Sequence, residues 1–510
     1  MTRPDSLTSW HADWAGLRVV VLGLSMTGFA VADTLAELGA DVLVTAEDAD
    51  PDYRRLVPVL GADLLIGPPD VGAVASHDPE LVVASPGFAP DHPLIRWARA
   101  QSIPVWGDLE LAWRVRDKVR GPDGRPAPWM LVTGTNGKTT TTRLTAAMLQ
   151  ESGLRAVACG NIGVPVLDAV RDPAGADMLV VEVSSHQLWY LSLQTGPEPV
   201  APYASVCLNL APDHLTWHGT FAAYRDAKAQ VYQNTEVACV YNLADEATLR
   251  MVEDADVVEG ARAIGFGLGV PGPSEVGLVD GILVDRAFLA ERATSALELA
   301  TLDDLVPAGL TAPHLVMDVL AASALARSAG APPARIRDAL RHFRLDPHRI
   351  QTVAVIGSVT WVDDSKATNP HAAASSLRAY PGAIWIVGGQ LKGVDVSELI
   401  AGPGSAVKAA IVIGVDRSEV VAAFARHAPG VPLFEVAAAE TEDVMARVVE
   451  LAAQLATEGD VVLLAPAAAS FDQFSSYADR GRRYAAAVHE RFGGDAGGGH
   501  DADASGDASA

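Results

Sequence analysis

The segment Trp129–Thr142 has the residue types and spacing of a phosphate-binding loop. Met130–Val132 is an apolar run that predicts a buried strand, a glycine-containing loop follows, and Lys138 opens a helix predicted to run to about Ser152. In such a loop, backbone N–H groups face the phosphates of a nucleoside triphosphate, the lysine neutralises their charge, and the hydroxyl of Thr139 can ligate Mg²⁺. The alternative is a glycine turn before an ordinary helix. The predicted nucleotide-binding residues are Gly134, Thr135, Asn136, Gly137, Lys138, Thr139 and Thr140.

Further polar groups follow two later strands of the same predicted sheet. Glu182 lies at the end of an apolar strand, and Asp213 and His214 follow the next one. Because ligands of open α/β sheets lie at the carboxyl ends of the strands, Glu182 is well placed to hold the nucleotide's Mg²⁺. A solvated carboxylate is the alternative. His214 is a candidate metal ligand or base, and the nearby His218 fits that role equally well. Lys228 lies in a helical pattern that by itself predicts a surface lysine.

The N-terminal motif Gly23–Gly28 is similar to a dinucleotide-binding fingerprint, with Ser25 in place of the second glycine. The following strand ends at Thr45, without the acidic residue that usually binds a ribose hydroxyl. A nicotinamide cofactor is therefore disfavoured. A different diphosphate, bound by the hydroxyls of Ser25 and Thr27, fits better, and a plain turn is the alternative.

Two polar loops near the C-terminus also follow predicted strands. Asp363–Pro370 is composed of polar or small residues and precedes an alanine-rich helix, and Arg349 lies shortly before it. The second loop, Leu464–Phe474, contains Ser470 and Asp472, which are suited to a small polar substrate. Ordinary loops are the alternative for each.

Strands and helices alternate along most of the chain, which predicts an α/β protein with parallel sheets. At 510 residues, about three domains are expected. We predict a Rossmann-like N-terminal domain at 1–123, a central P-loop ATPase domain with a parallel-rich sheet at 124–345, and a Rossmann-like C-terminal domain at 346–492. Residues 493–510 are rich in Gly, Ala and Asp and predict a disordered tail.

Composition excludes several classes of protein. The formal charge of −25 argues against a nucleic-acid partner, which would require clustered Lys and Arg. Three scattered cysteines favour a reducing compartment over a disulfide framework. Neither a signal peptide nor an apolar run of about 18 residues is evident, so a cytoplasmic protein without a membrane span is expected.

Taken together, the motifs resemble those of the Mur ligase family, and the C-terminal loops resemble its D-glutamate-adding branch. The resemblance spans roughly residues 15–490 and rests on Gly23–Gly28, Ser85–Gly87, Thr133–Thr140, Gly160–Gly163, Glu182–Leu188, Asp213–His214, Asp364–Asn369, Ser470–Phe474 and Arg480–Gly481. It implies three domains that bind a UDP-sugar, ATP and an amino acid. It also implies that the carboxylate of UDP-N-acetylmuramoyl-L-alanine attacks ATP to give an acyl phosphate, which the amine of D-glutamate then converts to an amide.

The resemblance further implies roles for individual residues. Lys138, His214, Lys228 and Lys366 are the implied catalytic residues, and Arg349 and Asp364 join the loop in contacting ATP. Two Mg²⁺ ions are implied, bound by Thr139, Glu182, His214 and a carbamylated Lys228. The implied UDP-sugar contacts are Ser25, Thr27, Ser85 and Asn161. The implied D-glutamate contacts are Thr368, Lys392, Ser470, Phe471 and Tyr477, and the protein is expected to be a monomer.

Three other functions remain open from the sequence. A ligase of the same family that adds another amino acid is the nearest alternative. A folylpolyglutamate-type ligase shares the central domain, but there the phosphate loop lies near the start of the chain, whereas about 130 residues precede it here. A nucleotide-gated binding protein without ligase activity would hydrolyse ATP slowly, whatever amino acid is present.

Overall fold

The computed structural model describes residues 3–194, 197–436 and 441–493. The chain divides into two compact units, Met1–Leu345 and Asp346–Ala510. The predicted α/β class is confirmed, because each sheet is built mainly from parallel strands connected by helices. The predicted domain limits remain predictions. All of the predicted tail 493–510 except Gly493 lies outside the described residues.

The first unit begins with a parallel five-stranded sheet in the order β3-β2-β1-β4-β5. Its strands are β1 Arg18–Leu22, β2 Asp41–Ala46, β3 Asp63–Ile66, β4 Leu81–Ala84 and β5 Val105–Gly107. Its helices are α1 Met26–Glu37, α2 Pro51–Leu56, α3 Val71–Ser76, α4 Pro93–Ala100 and α5 Asp108–Val115. The strand order changes direction between β1 and β4, so the loops that follow these two strands meet at the edge where such sheets bind ligands.

Helix α1 begins within the Gly23–Gly28 motif. Ser25 has an extended backbone and is the N-cap residue, so the turn after β1 is short and the helix starts at Met26. Gly28 therefore lies in the first turn of the helix. A Cβ atom at Gly28 would lie 2.1 Å from the carbonyl oxygen of Gly23, so a glycine is needed for this close approach of helix to strand.

Replacing Gly28 with alanine is expected to destabilise the protein by about 1–3 kcal/mol, since the clash is with rigid backbone. The melting temperature should fall by several degrees when measured by calorimetry. Gly269→Ala is the matched control, because an added Cβ at Gly269 meets no atom within 4 Å. Equal melting temperatures for the two variants would contradict the predicted clash.

The second sheet of this unit has nine strands in the order β14-β13-β12-β11-β10-β9-β6-β8-β7, and its last three strands in the chain pair antiparallel, each with the next. Its strands are β6 Trp129–Thr133, β7 Ala156–Gly160, β8 Met178–Glu182, β9 Ala204–Cys207, β10 Ala238–Asn242, β11 Arg262–Phe266, β12 Glu275–Val279, β13 Ile282–Asp285 and β14 Leu297–Thr301. Its helices are α6 Lys138–Glu151, α7 Val166–Arg171, α8 Ser185–Leu191, α9 Leu215–His218, α10 Phe221–Ala229, α11 Glu246–Glu253, α12 Leu302–Leu305, α13 Pro313–Ser328 and α14 Pro333–His342. Strands β6 and β8 are completely buried, as expected for parallel strands with helices on both faces.

The first sheet is joined to the second by side chains near the ends of β5 and α8. The hydroxyl of Tyr190 donates to the carbonyl of Phe88 at 2.7 Å, and Gly107 packs so closely on Tyr190 that a Cβ would lie 2.8 Å from that side chain. The amide of Gln187 donates to Asp108 at 2.8 Å. These contacts hold helix α8, which follows Glu182, against the first sheet.

The second unit has a six-stranded sheet in the order β15-β16-β20-β17-β18-β19. Its strands are β15 Gln351–Ile356, β16 Val359–Asp363, β17 Ile384–Gly388, β18 Ala409–Ile413, β19 Leu433–Glu435 and β20 Val461–Leu464. Its helices are α15 Pro370–Ala379, α16 Ser397–Ala401, α17 Ser418–His427, α18 Thr441–Leu455 and α19 Tyr477–Phe492. Strand β15 was not predicted from the sequence. It is a partly exposed antiparallel edge strand, so it lacks the buried apolar run that indicates an inner strand.

Short 3₁₀ helices complete the described structure, at Pro4–Ser6, Val57–Leu60, Arg116–Lys118, Gln230–Tyr232, Val306–Ala308 and Pro403–Ala406. Within the described ranges, no single helix is both long and apolar enough to cross a membrane. One helix pair, Leu302–Ala308 with Pro313–Ser328, meets the length and composition criteria together, but it is bent by 105° at the break.

Candidate active site

The predicted phosphate loop lies between β6 and α6, as its sequence indicates. Gly134 and Gly137 have φ angles of 150° and 85°, which residues other than glycine rarely adopt. The ammonium of Lys138 donates to the carbonyl oxygens of Gly134 and Thr135, each at 2.9 Å. Lys138 thus lies over the loop, where a phosphate group would compete for its hydrogen bonds.

Three further residues support this loop. The amide of Asn209 accepts from the backbone N–H of Asn136 at 2.9 Å and donates to its carbonyl at 3.1 Å. The hydroxyl of Tyr224 lies 2.9 Å from that of Thr135. A Cβ at Gly137 would lie 2.2 Å from a carboxylate oxygen of Asp318. Asn209 lies at the end of a predicted strand, so its place in the sequence indicated that it could lie near the loop. Tyr224 and Asp318 lie on helices, and their positions gave no such indication.

Glu182 lies at the end of β8, next to the phosphate loop. Its carboxylate accepts from the Thr139 hydroxyl at 2.8 Å and from the Asn161 amide at 2.9 Å, and Glu182 is 2 % exposed. The structure therefore brings a predicted metal-binding pair and a predicted UDP-sugar contact to one point. Hydroxyl and carboxylate oxygens are the donors that Mg²⁺ prefers, so these residues fit a magnesium ion.

Lys228 is buried beneath the phosphate loop, so the alternative of a surface lysine is wrong. It is 2 % exposed, and its ammonium donates to the carbonyl of Gly134 at 2.8 Å and the hydroxyl of Thr133 at 3.2 Å. Burial, with a smaller contribution from the charge of Lys138, lowers the pKa of Lys228 to about 7. Burial thus favours the neutral amine, which is the form that reacts with carbon dioxide.

His214 belongs to a cluster of rings that reaches towards Lys228. The ring of His186 lies 4.6 Å from those of His214 and Trp217 and stacks on His218 at 5.5 Å. Burial, with a smaller contribution from the neighbouring His214 and His218, lowers the pKa of His186 to about 3. The sequence did not predict a role for His186, although it lies within the Glu182–Leu188 motif. Its neighbours become apparent only in the fold.

In the described ranges, no three His, Cys, Asp or Glu side chains are grouped closely enough to hold a metal ion. The second magnesium ion and the carbamate at Lys228 therefore remain predictions. His214 itself has a left-handed backbone, with φ 52°, and its ring nitrogen lies 3.7 Å from the carboxylate of Asp213.

The predicted UDP-sugar contacts of the first sheet lie in the loops after β1 and β4. Ser25 is exposed at the start of α1, and Thr27 is half-buried in its first turn. The hydroxyl of Ser85 is buried without a hydrogen-bond partner, and it lies close enough to Gly23 that a Cβ there would be 2.9 Å away. The two loops therefore meet, and Ser85 has hydrogen-bonding capacity to spare.

In the second unit, the two predicted ATP contacts lie close together. The backbone N–H of Ile350, the residue after Arg349, donates to the carboxylate of Asp364 at 3.3 Å. The hydroxyl of Ser376 also donates to that carboxylate. Burial raises the pKa of Asp364 to about 6, although these hydrogen bonds oppose the shift. Arg349 is mostly buried and lies 4.0 Å from Asp346.

The predicted amino-acid contacts of the second unit lie in loops at the ends of its parallel strands. The ammonium of Lys366 lies 3.9 Å above the ring of Tyr477, and that of Lys392 lies 5.4 Å from the ring of Phe471, which is 66 % exposed. Ser470 is buried. Thr368 lies in the same loop as Lys366, and its N–H donates to the Lys366 carbonyl at 2.8 Å. Each of these two lysines thus lies next to an aromatic ring in these loops, a composition suited to an acidic ligand.

Comparisons with known proteins assign all three sheets to one family. Residues 17–107 match the Mur ligase MurD-like N-terminal domain, residues 132–271 the Mur ligase middle domain, and residues 348–468 the Mur ligase glutamate ligase domain.

Two curated relatives and two solved structures illustrate the similarity. A protein of Leifsonia xyli named UDP-N-acetylmuramoylalanine–D-glutamate ligase is 60 % identical over 97 % of this chain and 96 % of that protein. A protein of the same name from Streptomyces avermitilis is 47 % identical over 93 % of this chain and 98 % of that protein. The fold is similar to that of MurF ligase from Thermotoga maritima in complex with ADP (TM-score 0.56, 16 % identity, 95 % of this chain and 100 % of that chain). It is also similar to UDP-N-acetylmuramate-alanine ligase MurC of that organism (TM-score 0.54, 19 % identity, 94 % and 99 %).

Proposed function

The chain belongs to the Mur ligase family, and from this membership we propose that it joins D-glutamate to UDP-N-acetylmuramoyl-L-alanine, with conversion of ATP to ADP and phosphate, in the synthesis of peptidoglycan precursors. The observation that carries the proposal is the 60 % identity, over 97 % of the chain, to a relative with this named activity. The phosphate loop and the cation-rich loops of the second unit provide chemistry that fits such a reaction.

The reaction proceeds through an acyl phosphate. A carboxylate oxygen of the L-alanyl group attacks the γ-phosphorus of ATP, and the bond to the ADP oxygen breaks. The amine of D-glutamate then attacks the acyl carbon, loses a proton, and displaces inorganic phosphate. Negative charge builds up first at the phosphoryl group and then at the carbonyl oxygen, so preorganised cations and N–H donors provide most of the stabilisation.

The phosphate loop supports the first step. Lys138 already lies against the loop carbonyls, and it would exchange these neutral acceptors for phosphate oxygens. Thr139 and Glu182 would hold a magnesium ion, and Asn161, which donates to the same carboxylate, would face the UDP-sugar. Magnesium, when bound, would neutralise charge on the phosphate oxygens.

Lys228 carries a carbamate in the working enzyme. Its neutral amine attacks carbon dioxide, a C–N bond forms, and one proton is released, which turns a buried amine into an anion with two oxygen donors. Burial favours the neutral amine that this reaction needs. The carbamate and His214 would hold a second magnesium ion.

The second unit is proposed to bind the amino acid. Arg349 and Asp364 contact ATP. Lys366 and Lys392 face the carboxylate or phosphate charges, and the remaining D-glutamate contacts are Thr368, Ser470, Phe471 and Tyr477. We further propose that the protein acts as a monomer in the cytoplasm.

A panel of amino acids tests the proposed specificity. The purified protein is incubated with ATP, Mg²⁺ and UDP-N-acetylmuramoyl-L-alanine plus D-glutamate, L-lysine, meso-diaminopimelate or L-alanine, and the product masses are measured. We expect a new product with D-glutamate. A product of similar yield with another member of the panel would instead assign the chain to a different branch of the family.

A further inference from the structure

The motif Arg480–Gly481 has no role in the chemistry described above, although it lies close to the proposed amino-acid pocket. Arg480 is on α19, one turn after Tyr477, and its side chain is completely buried. Burial lowers the pKa of its guanidinium to about 10, so it remains charged at neutral pH. A buried charge is costly unless it is well hydrogen-bonded, so its partners indicate what it does.

The guanidinium binds two separate loops through all of its nitrogens. Its Nε donates to the hydroxyl of Ser365 at 2.9 Å, and its Nη2 donates to the Ser365 carbonyl, also at 2.9 Å. Its Nη1 donates to the carbonyl of Ala468 at 3.1 Å. The Ser365 hydroxyl in turn donates to the carbonyl of Tyr477 at 2.8 Å. Arg480 therefore joins the loop after β16, the loop after β20 and the start of its own helix.

A fourth segment is joined to this network through the backbone. Gln390, in the loop after β17, exchanges two hydrogen bonds with Ala469, at 2.9 and 3.0 Å. Gly389 lies beside the guanidinium, because a Cβ there would be 2.5 Å from the Ala469 carbonyl and 3.5 Å from Nη1 of Arg480. The loop that carries Lys392 is therefore held against the residues that Arg480 binds.

Each of the joined segments carries a proposed contact to the amino acid. Lys366 and Thr368 follow Ser365, Ser470 and Phe471 follow Ala468, Lys392 follows Gln390, and Tyr477 begins α19. A planar group with divergent N–H donors can hold three segments in a fixed relation, whereas an apolar side chain would leave the Ser365 and Ala468 carbonyls unpaired.

We propose that Arg480 is a positioning residue that assembles the D-glutamate pocket, setting the distance between the cations of one loop and the Ser470–Phe471 segment of another. This inference rests on the proposed function. Arg480 would not touch a substrate, and it acts through the backbone of Ser365 and Ala468. Asp364 is fixed separately, by Ser376 and the backbone of Ile350, so the ATP side of the second unit should depend on Arg480 less.

The test compares Arg480→Lys with Arg482→Lys. Lysine keeps the charge but cannot reproduce the guanidinium geometry, and Arg482, two residues along the same helix, is 65 % exposed and forms a 3.7 Å ion pair with Asp479. For each variant, three quantities are measured: the KM for D-glutamate, the KM for UDP-N-acetylmuramoyl-L-alanine, and the melting temperature. A fourth assay omits D-glutamate and uses hydroxylamine, which displaces phosphate from the acyl phosphate and gives a hydroxamate.

With Arg480→Lys, we expect the KM for D-glutamate to rise about tenfold or more, which corresponds to the loss of one or two hydrogen bonds. The hydroxamate rate and the KM for the UDP-sugar should stay within about twofold of wild type. Ser365→Ala, which removes the bridging hydroxyl and leaves the carbonyl contacts, should give a smaller rise in the same constant.

An unchanged KM for D-glutamate in Arg480→Lys would overturn the proposal. So would an equal loss in all four measurements, because that result would show a general structural role. Failure of the proposed function is distinguishable, since the wild-type protein itself would then form no product that depends on D-glutamate.

Discussion

Replacing Lys138 with alanine is expected to lower the rate of ligation about 10²–10³-fold while the protein remains folded. The side chain donates to the loop carbonyls of Gly134 and Thr135 and supplies a positive charge where phosphate oxygens are proposed to bind. Charge develops on these oxygens during phosphoryl transfer, so the loss should fall mainly on kcat. The measurement is steady-state phosphate release with all substrates present.

Lys408→Ala is the matched control for the loss of one positive charge. Lys408 forms a surface ion pair with Asp460, and its removal should leave kcat unchanged. If folded Lys138→Ala turns over at a near-normal rate, the loop does not stabilise the transferred phosphoryl group.

Replacing Lys228 with alanine is expected to reduce turnover at least about 100-fold, because the carbamate oxygens of the second magnesium site are lost. A protonated lysine would repel the ion, whereas a carbamate adds the oxygen donors that Mg²⁺ prefers. Acetate should partly restore activity, since a small carboxylate can occupy the vacated anionic position. Acetate should not restore Lys138→Ala, where the missing charge is positive.

A spectroscopic measurement separates a carbamate from a merely supportive amine. Lys228 also donates to Gly134 and Thr133, so its removal could disturb the phosphate loop without any carbamate. With ¹³C-labelled bicarbonate, the wild-type protein should show a carbamate ¹³C NMR signal that Lys228→Ala lacks. The carbamate assignment fails if the wild-type signal is absent, or if Lys228→Ala keeps normal activity in carbonate-free buffer.

The phosphate loop could be predicted from sequence because its determinants are local. Strand, glycines, lysine and helix occur within the 14 residues Trp129–Thr142, and the two glycines have the positive φ angles that such a loop requires. Glu182 could be placed at the same edge of the sheet because parallel strands all present their carboxyl ends there.

The environment of Lys228 could not be predicted, because its partners are distant in the chain. Thr133 and Gly134 lie 95 and 94 residues before it, and only the packing of α10 beneath the loop buries the side chain. The contacts of His186 and Arg480 could not be predicted for the same reason. The ring of His186 contacts that of His214, which lies in a different loop, and Arg480 binds Ser365, which lies 115 residues before it in the chain. Local patterns locate loops that carry polar groups, but the pairing of those groups is decided by tertiary contacts.

The proposed ligase reaction is tested most directly by phosphate release from ATP in the presence of UDP-N-acetylmuramoyl-L-alanine. The release is measured without amino acid, with D-glutamate and with L-glutamate. Because phosphate is released only when the amine displaces it from the acyl phosphate, steady release should require both the UDP-sugar and D-glutamate. Equal phosphate release with L-glutamate, or release that does not depend on any amino acid, would contradict the proposed addition of D-glutamate.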